Sequence, residues 1–431
     1  MTHAPHGCYT PPLMVRQRIQ LALIHSAATI TLVPIEGALN RVMIAELAVP
    51  ATLVSLLVVL PFLLSPVQVA IGSFSDRHPV LGLRRTPYIA AGLILCALGL
   101  FWSPRAAYAF TENSLAGAAL SAAAFGAWGM GFNIATVSYF SLATELSGEN
   151  GRGRTIAAMF FFMIVAIIVT SVVLSRMLEP YTEGALYRAF SRVAIVALLL
   201  GLGGVVWLEP RTASPPRPPA RSGWQERLGA VSGNRPAVLF FSYLLALLAP
   251  ILVVNTLLPP FGAAAFGMSV KQSTAITSVW GTFALASLVA AAALERRARR
   301  GTLIRAGSTG AAAGFLLLIV AGVLPSRGLF YAAVSLLGLS TGAATVANLA
   351  FMLEMTVPGK VGLFMGAWGT ADALARLCGN LASGVVRDVA ARLFHATVAG
   401  YVAVCVLLVL LLVTSLVILP RIDVRKFRDQ S

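Results

Sequence analysis

Charged side chains are scarce in this sequence of 431 residues. Asp, Glu, Lys and Arg make up only 11% of it, and hydrophobic residues make up 58%, whereas about 25% of the residues in a soluble domain are charged. A water-soluble core cannot bury so many apolar residues, so the excess must face lipid. The composition therefore excludes a cytosolic enzyme, a secreted module held by disulfides and a disordered chain.

Motifs for metal binding and nucleotide chemistry are lacking as well. The four cysteines are scattered with no Cys-x-x-Cys pair, so neither a zinc site nor a disulfide framework is indicated. The sequence contains no Walker-type phosphate loop and no His-Glu-x-x-His segment. We therefore expect no enzyme activity, no intrinsic cofactor and no metal site.

Long apolar runs, in contrast, are abundant. A helix needs about 20 residues to cross a bilayer, and lipid offers an open backbone no hydrogen-bond partners. The predicted fold is therefore an all-α polytopic membrane protein with twelve transmembrane helices. Their approximate spans are 19–39, 50–73, 87–110, 115–143, 156–178, 189–208, 237–258, 273–294, 302–324, 328–353, 362–386 and 396–419.

The distribution of positive charge predicts the orientation. Twelve spans place both termini on one side, and that side carries 22 of the 32 Lys and Arg residues, against nine on the other. Because Lys and Arg accumulate in cytoplasmic loops, we predict that both termini are cytoplasmic. The net charge of +16 then reflects topology and gives no reason to expect nucleic-acid binding.

The longest break between spans divides the chain into two sets of six. It contains the Pro-rich run Ala213–Ala220, which cannot form a regular helix and is typical of an extended linker. We predict an N-terminal six-helix bundle over 1–208, a cytoplasmic Pro/Arg-rich linker over 209–236, and a C-terminal six-helix bundle over 237–431 with a short basic tail.

A shift of 209 residues supports an internal duplication. It aligns Gly129 with Gly338 and Glu145 with Glu354 without gaps, and transporter folds are commonly built from repeated halves. Glu145 and Glu354 fall at the cytoplasmic ends of the fourth and tenth spans. We interpret them as paired hinge or latch residues.

The loop after the second span carries a recognisable charge pattern. Gly72 precedes the pair Asp76-Arg77, and the pair Arg84-Arg85 follows, which resembles the cytoplasmic signature of the major facilitator superfamily. Asp76 and the arginines could pair with helix ends and latch one conformation. The alternative is a positively charged loop with incidental pairing.

Two stretches resemble a narrower family. Leu39–Ala51 and Ser75–Ile89 are similar to the PucC-like, or bacteriochlorophyll delivery, family of the major facilitator superfamily. The extra residues between the Asp-Arg and Arg-Arg pairs are part of the resemblance, which also covers the whole chain in length and span count. The resemblance implies a major facilitator fold of two six-helix bundles.

The resemblance also implies a function and a location. Members of the family include assembly proteins of light-harvesting complexes. The implied protein lies in the bacterial inner, intracytoplasmic photosynthetic membrane, where it binds or delivers bacteriochlorophyll as cargo to light-harvesting antenna polypeptides. The reaction centre, bacteriochlorophyll-synthesis enzymes and membrane lipid are further implied partners.

Polar residues in the eleventh span are candidates for ligand binding. Asp372, Arg376 and Asn380 are spaced i, i+4 and i+8, so they share one helix face and the first two can pair. The 209-residue shift places three residues without charge at the corresponding positions, Met163, Ile167 and Ser171. A structural ion pair and a role in a ligand cavity or conformational switch are both open.

The first span carries four more candidates, His25, Glu36, Asn40 and Arg41. A neutral imidazole can bind the magnesium of a chlorophyll, so His25 is a weak candidate axial ligand, against the alternative of a buried structural histidine. Glu36 and Arg41 are expected to pair near the helix end, although ligand contact by the first helix remains possible.

Two classes of function stay open at this point. The first is an assembly factor that binds or delivers bacteriochlorophyll, and the second is a secondary transporter of another small solute by alternating access. A central cavity lined by charge pairs would favour the solute transporter, and an apolar crevice open to lipid would favour the pigment.

Overall fold

The computed structural model describes residues 15–211, 235–294, 300–354 and 361–422, apart from 65–66, 68–70, 72–73, 76 and 113. All regular secondary structure in these ranges is helical. The first half contains, in chain order, α1 (Val15–Ile30), α2 (Ala51–Val58), α3 (Leu60–Leu63), α4 (Thr86–Glu112), α5 (Ser114–Met177) and α6 (Glu183–Val205). The second half contains α7 (Arg235–Phe266), α8 (Val270–Leu294), α9 (Arg300–Val323), α10 (Arg327–Glu354), α11 (Val361–Leu393) and α12 (Thr397–Ile418).

Ten helical segments of the described residues are long and apolar enough to cross a membrane. They coincide with the first, the third to tenth and the twelfth predicted spans. The short helices α2 and α3 occupy the position of the second predicted span. Helix α11 occupies that of the eleventh, and its charged residues lower its hydropathy. The prediction of an all-α polytopic membrane protein is confirmed.

The first helix is irregular beyond α1. The chain continues in π-helical turns over Val33–Leu39 and Val42–Glu46. Pro34 lies at the start of the first π-helical run, and proline removes one backbone donor from the helical ladder. Isolated π-helical turns occur frequently at functional sites, and Glu36 and Asn40 lie in or beside these turns.

The fourth and fifth predicted spans form one hairpin of continuous helical backbone, α5. The hydroxyl of Ser147 donates to the hydroxyl of Thr155 at 2.9 Å, although eight residues of straight helix rise about 12 Å. The helix must therefore bend back sharply between these residues. The break expected between 143 and 156 is a turn without loss of helical structure.

Buried apolar side chains form clusters that, apart from Val270, stay within one half. One cluster draws only on residues between Phe240 and Leu412, and two draw on residues between Leu21 and Leu208 together with Val270. Each half thus has its own core.

Glycine allows close packing of helices inside both halves. A Cβ atom on Gly131 of α5 would lie 2.2 Å from the backbone nitrogen of Cys96 in α4, and one on Gly342 of α10 would lie 2.3 Å from the carbonyl oxygen of Ala284 in α8. Any larger residue would push these helices apart.

The sequence Gly338–Gly342 has the Gly-x-Ser-x-Gly spacing of a nucleophile elbow, which requires a sharp turn between a strand and a helix. Here it lies in the interior of α10, and the Ser340 hydroxyl donates to the carbonyl of Leu336 at 2.7 Å. The segment is therefore ordinary transmembrane helix.

The halves pack on each other along two helix pairs. Gly384 of α11 lies against Ala51 of α2, and Gly281 of α8 lies against Ile168 of α5. We call the side on which the first helix ends, at residues 47–50, the far side. The side on which it begins is the linker side.

Candidate functional site

Three charged residues lie where the halves face each other, and we call Glu36, Asp372 and Arg376 the central cluster. Arg376 Nε donates to Asp372 Oδ2 at 3.2 Å, and the side chains are 23% and 30% exposed, respectively. The Arg376 guanidinium lies 5.0 Å from the ring centre of Phe62 in the first half. The polar face of α11 therefore points to the other half.

Glu36 completes the cluster from the first half. It is only 6% exposed, and it interacts electrostatically with Arg376. The ion pair of Arg376 is with Asp372 on its own helix, and Glu36 acts on Arg376 across the interface through its charge. A guanidinium that is partly exposed between the halves can bind an additional anionic group.

A proline in α7 creates a second contact between the halves. Pro260 has no backbone N–H, so the carbonyl of Thr256, four residues earlier, has no helical donor. The side-chain amide of Asn40 donates to this carbonyl at 2.7 Å. An asparagine in the first half therefore occupies the acceptor that proline leaves open in the second.

Thr256 also connects this contact to α11. Its hydroxyl donates to Asn380 Oδ1 at 2.6 Å, and Asn380 Nδ2 donates to the carbonyl of Arg376 at 2.9 Å. Asn40, Thr256 and Asn380 thus form a hydrogen-bonded chain that ends on the backbone of the central cluster.

The expected pair of Glu36 with Arg41 is not among the contacts of the described residues. Arg41 forms an ion pair with Glu46 and donates to the carbonyl of Met268 at 3.0 Å. Arg41 is turned toward Glu46 and the far side of the second half, so the predicted pairing with Glu36 was wrong.

His25 lies in an aromatic cage within the first half. Its Nδ1 is 2.8 Å from the Tyr139 hydroxyl, and the ring centres of Tyr139, Phe140 and Phe160 lie 5.3 to 5.4 Å from that of the imidazole. One nitrogen is therefore anchored, and the other, Nε2, is buried without a hydrogen-bond partner in the described residues.

The charged loop on the linker side forms an ion-pair network within the first half. Arg85 donates through Nε and Nη2 to Glu145 Oε1 at 3.1 and 2.8 Å, and through Nη1 to Ser75 Oγ at 2.7 Å. Arg84 lies 3.4 Å from Glu145 Oε2. These contacts hold the start of α4 against α5. The role of these residues in a gate stays a prediction.

The other members of the predicted latch are less informative. Arg77 is exposed. Gly72 and Asp76 lie outside the described residues, and so does the side chain of Glu354, whose backbone ends α10.

Two acids accept hydrogen bonds at helix N-termini, and sequence reasoning identified neither of them. Glu209 accepts hydrogen bonds from the backbone N–H groups of Arg84, Arg85 and Thr86 at 2.7 to 3.1 Å. Asp388 binds the start of α2 in the opposite half. The signal in both cases was an acid just after a predicted apolar span, 189–208 for Glu209 and 362–386 for Asp388.

Comparisons with known proteins identify the family. The family model described as PUCC protein matches residues 38–427. Protein PucC of Rhodobacter capsulatus is 30% identical over 388 residues, which cover 86% of this chain and 83% of that protein. The bacteriochlorophyll synthase 44.5 kDa chain of the same species is 28% identical over 385 residues, covering 88% of each protein.

Solved structures show the fold. A POT family transporter in complex with a thioalcohol conjugated peptide superposes with a TM-score of 0.71 at 11% identity, over 94% of this chain and 96% of that one. A D-xylose-proton symporter gives a TM-score of 0.69 at 17% identity. The chain is thus a multi-pass membrane protein with the major facilitator fold, and it belongs to the PucC family.

Proposed function

We propose that this protein is an assembly factor of the photosynthetic membrane that binds bacteriochlorophyll and delivers it to light-harvesting antenna polypeptides. Relatives named Protein PucC and bacteriochlorophyll synthase 44.5 kDa chain support the photosynthetic role. The observation that carries pigment binding is the free Nε2 atom of His25 in its aromatic cage.

The geometry around His25 suits an axial ligand. When Nδ1 carries the proton and donates to the Tyr139 oxygen, the lone pair of Nε2 is free to bind the magnesium of a chlorophyll. Metal-binding histidines are commonly oriented through their second nitrogen in this way. The magnesium belongs to the cargo.

The position of the cage suits a lipid-soluble cargo. Phe160, at its edge, is followed by Phe161 and Phe162, which are exposed on the surface of α5. A macrocycle that enters from lipid between α1 and α5 would meet apolar and aromatic surface before it reaches His25. Aromatic rings also stack on a flat macrocycle.

Pigment binding is tested on protein purified in mild detergent from a bacteriochlorophyll-producing host. We expect the unaltered protein to carry bacteriochlorophyll in its absorption spectrum and His25→Ala to lose most of it. Tyr139→Phe should weaken binding about tenfold, because it removes the group that orients the ring. His395→Ala, at an exposed far-side position, is the matched control, and retention of pigment by His25→Ala would refute the proposal.

A second candidate function is secondary transport of another small solute by alternating access. The central cluster favours it, because Arg376 and Asp372 are partly exposed between the halves. The two candidate functions predict that different residues are essential. If Arg376→Gln abolishes antenna accumulation in a deletion strain and His25→Ala leaves it unchanged, solute transport is the better account.

We place the protein in the intracytoplasmic photosynthetic membrane with both termini cytoplasmic. Cysteines introduced at Gly223 and Gly359 should react only with reagents that reach the cytoplasm, and one at Gly267 only with reagents outside. Labelling of the first two from outside would reverse the orientation.

Antenna polypeptides, the reaction centre and bacteriochlorophyll-synthesis enzymes are the proposed partners. A pulldown in mild detergent should recover at least one of them. Recovery of the protein alone, under conditions that preserve other membrane complexes, would contradict the assembly role.

A further inference from the structure

Two acids at the far side bind the opposite half in related ways. Glu179 follows the end of α5, and Asp388 lies near the end of α11. They are 209 residues apart, the same offset that relates Glu145 to Glu354. Each one contacts the beginning of the second membrane helix of the other half.

Asp388 caps α2 across the interface. Its Oδ1 accepts from the backbone N–H of Ala51 at 3.2 Å, and its Oδ2 accepts from the backbone N–H and the hydroxyl of Thr52 at 2.8 and 2.7 Å. The first N–H groups of a helix have no partner within it, and the helix dipole favours an anion there. A carboxylate of the second half therefore satisfies the donors that start α2.

Glu179 forms the corresponding contact in the other direction. It pairs with Lys271, the second residue of α8. These two side chains are 57% and 41% exposed, whereas that of Asp388 is 17% exposed. Exposed ion pairs contribute little because water screens them, so Asp388 makes the stronger contact.

The interface between these acids is closely packed. The Ser171 hydroxyl, fully buried, donates to the carbonyl of Thr274 at 2.8 Å. A Cβ atom on Gly384 would lie 3.0 Å from the carbonyl oxygen of Ala51. Helices α5 and α8, like α11 and α2, thus touch at the far side with no room for a ligand between them.

We propose that Asp388 and Glu179 are symmetry-related latches that hold the far side of the protein shut, with Asp388 as the dominant one. Opening this side separates α11 from α2, which exposes the Asp388 carboxylate and leaves the N–H groups of Ala51 and Thr52 without it. This inference does not depend on the cargo, because it concerns how the halves move.

The test uses the full chain in membrane vesicles, with its four cysteines replaced by alanine and a reporter introduced by Ser171→Cys. An impermeant maleimide is added from each side in turn. We expect slow labelling without further change and about ten- to hundredfold faster labelling from the far side with Asp388→Ala, the range for lost hydrogen bonds to a charged group.

Graded variants keep the test decisive if Asp388→Ala accumulates poorly. Thr52→Val removes one of the three hydrogen bonds and leaves the carboxylate, so we expect about threefold faster labelling. Glu179→Gln should have a smaller effect than Thr52→Val. Glu183→Gln is the matched control, because this far-side acid binds Tyr187 of its own half.

A second reporter, Leu393→Cys, monitors general loosening, since this residue is exposed at the far side already. Its labelling should be equal in all variants. Unchanged labelling of the Ser171→Cys reporter in Asp388→Ala, an equal increase in Glu183→Gln, or an increase only from the linker side would overturn the proposal.

Discussion

Helix α11 and the second part of α5, residues 153–177, occupy corresponding places in the two halves but differ in chemistry. Both pack on the second membrane helix of the opposite half. Residues 153–177 form an apolar span whose most apolar stretch is largely unburied in the protein, whereas α11 is not among the segments apolar enough to qualify as a span. The differing triplets are Asp372, Arg376 and Asn380 in α11, and Met163, Ile167 and Ser171 in α5.

The difference between the two triplets shows that the fold does not require charged residues at this level of the interface. In α5 a single hydroxyl, that of Ser171, is enough to bind the facing helix. In α11 the same level of the interface carries an ion pair and an amide that contact Phe62 and Thr256. Ionisable groups at membrane depth are costly, so those of α11 either stabilise the interface as an ion pair or take part in binding or motion, and the Arg376 variants below distinguish these roles.

The largest loss of stability is expected when a charged residue is introduced into the apolar helix, α5. Ile167→Arg places a cation on α5 with no carboxylate prepared for it, which costs about 3 kcal/mol at a helix centre. We expect loss of most membrane-inserted protein, measured by quantitative blotting. Ile167→Leu is the control, and normal accumulation of Ile167→Arg would show that α5 also faces a polar cavity.

The next effect concerns the ion pair of α11. Arg376→Leu leaves Asp372 without its cation and removes the positive charge that acts on Glu36, and we expect a loss of about 2 kcal/mol in thermal stability in detergent. Combining it with Asp372→Leu should recover part of the loss if the pair is structural. Equal loss of antenna accumulation in both variants, at normal protein levels, would assign the charges to a ligand or to the conformational cycle.

A smaller effect tests the contact between Asn40 and the carbonyl of Thr256. Asn40→Ala leaves this buried acceptor unsatisfied and should cost about 1.5 kcal/mol. Pro260→Ala restores a helical donor, so Asn40→Ala should cost less when combined with it than it does alone. A double-mutant cycle on thermal stability measures this coupling, and strictly additive effects would mean that proline does not create the acceptor.

The smallest effect is expected at Ser171. Ser171→Ala removes one neutral hydrogen bond to a carbonyl that keeps its place in α8, so the cost should be about 0.5 kcal/mol. Ser415→Ala, a buried serine that bonds only within α12, serves as the control for thermal stability. A loss several times larger would mean that α5 depends on this residue as much as α11 depends on its polar triplet.

The sequence predicted the features that depend only on residues close together along one helix. Apolar length gives the spans, and a spacing of four residues places Asp372 beside Arg376. It also aligned the halves, because a duplication leaves the same residues at a constant offset. The separation of the fourth and fifth spans was predicted correctly, but hydropathy does not reveal that the connection between them is a tight turn of continuous helical backbone.

Contacts across the halves could not be predicted in the same way. The carbonyl of Thr256 needs both Pro260 and an asparagine 216 residues earlier in the chain, and no local pattern links them. The contact of Arg41 with the carbonyl of Met268 likewise joins residues that are 227 apart in the chain. The cap by Asp388 depends on where a helix begins, which sequence reading places only within a few residues.

The carbonyl of Thr256 determines that the interface between the halves becomes hydrated when they separate. Whenever the halves part, Asn40 withdraws, and Pro260 guarantees that the helix itself offers no replacement donor. Water is the donor at hand, so the middle of the molecule must hydrate as it opens. The hydrogen bond of His25 to Tyr139, in contrast, lies within the first half and needs no new donor when the halves separate. Opening therefore brings water to the interface between the halves and not to this buried pair.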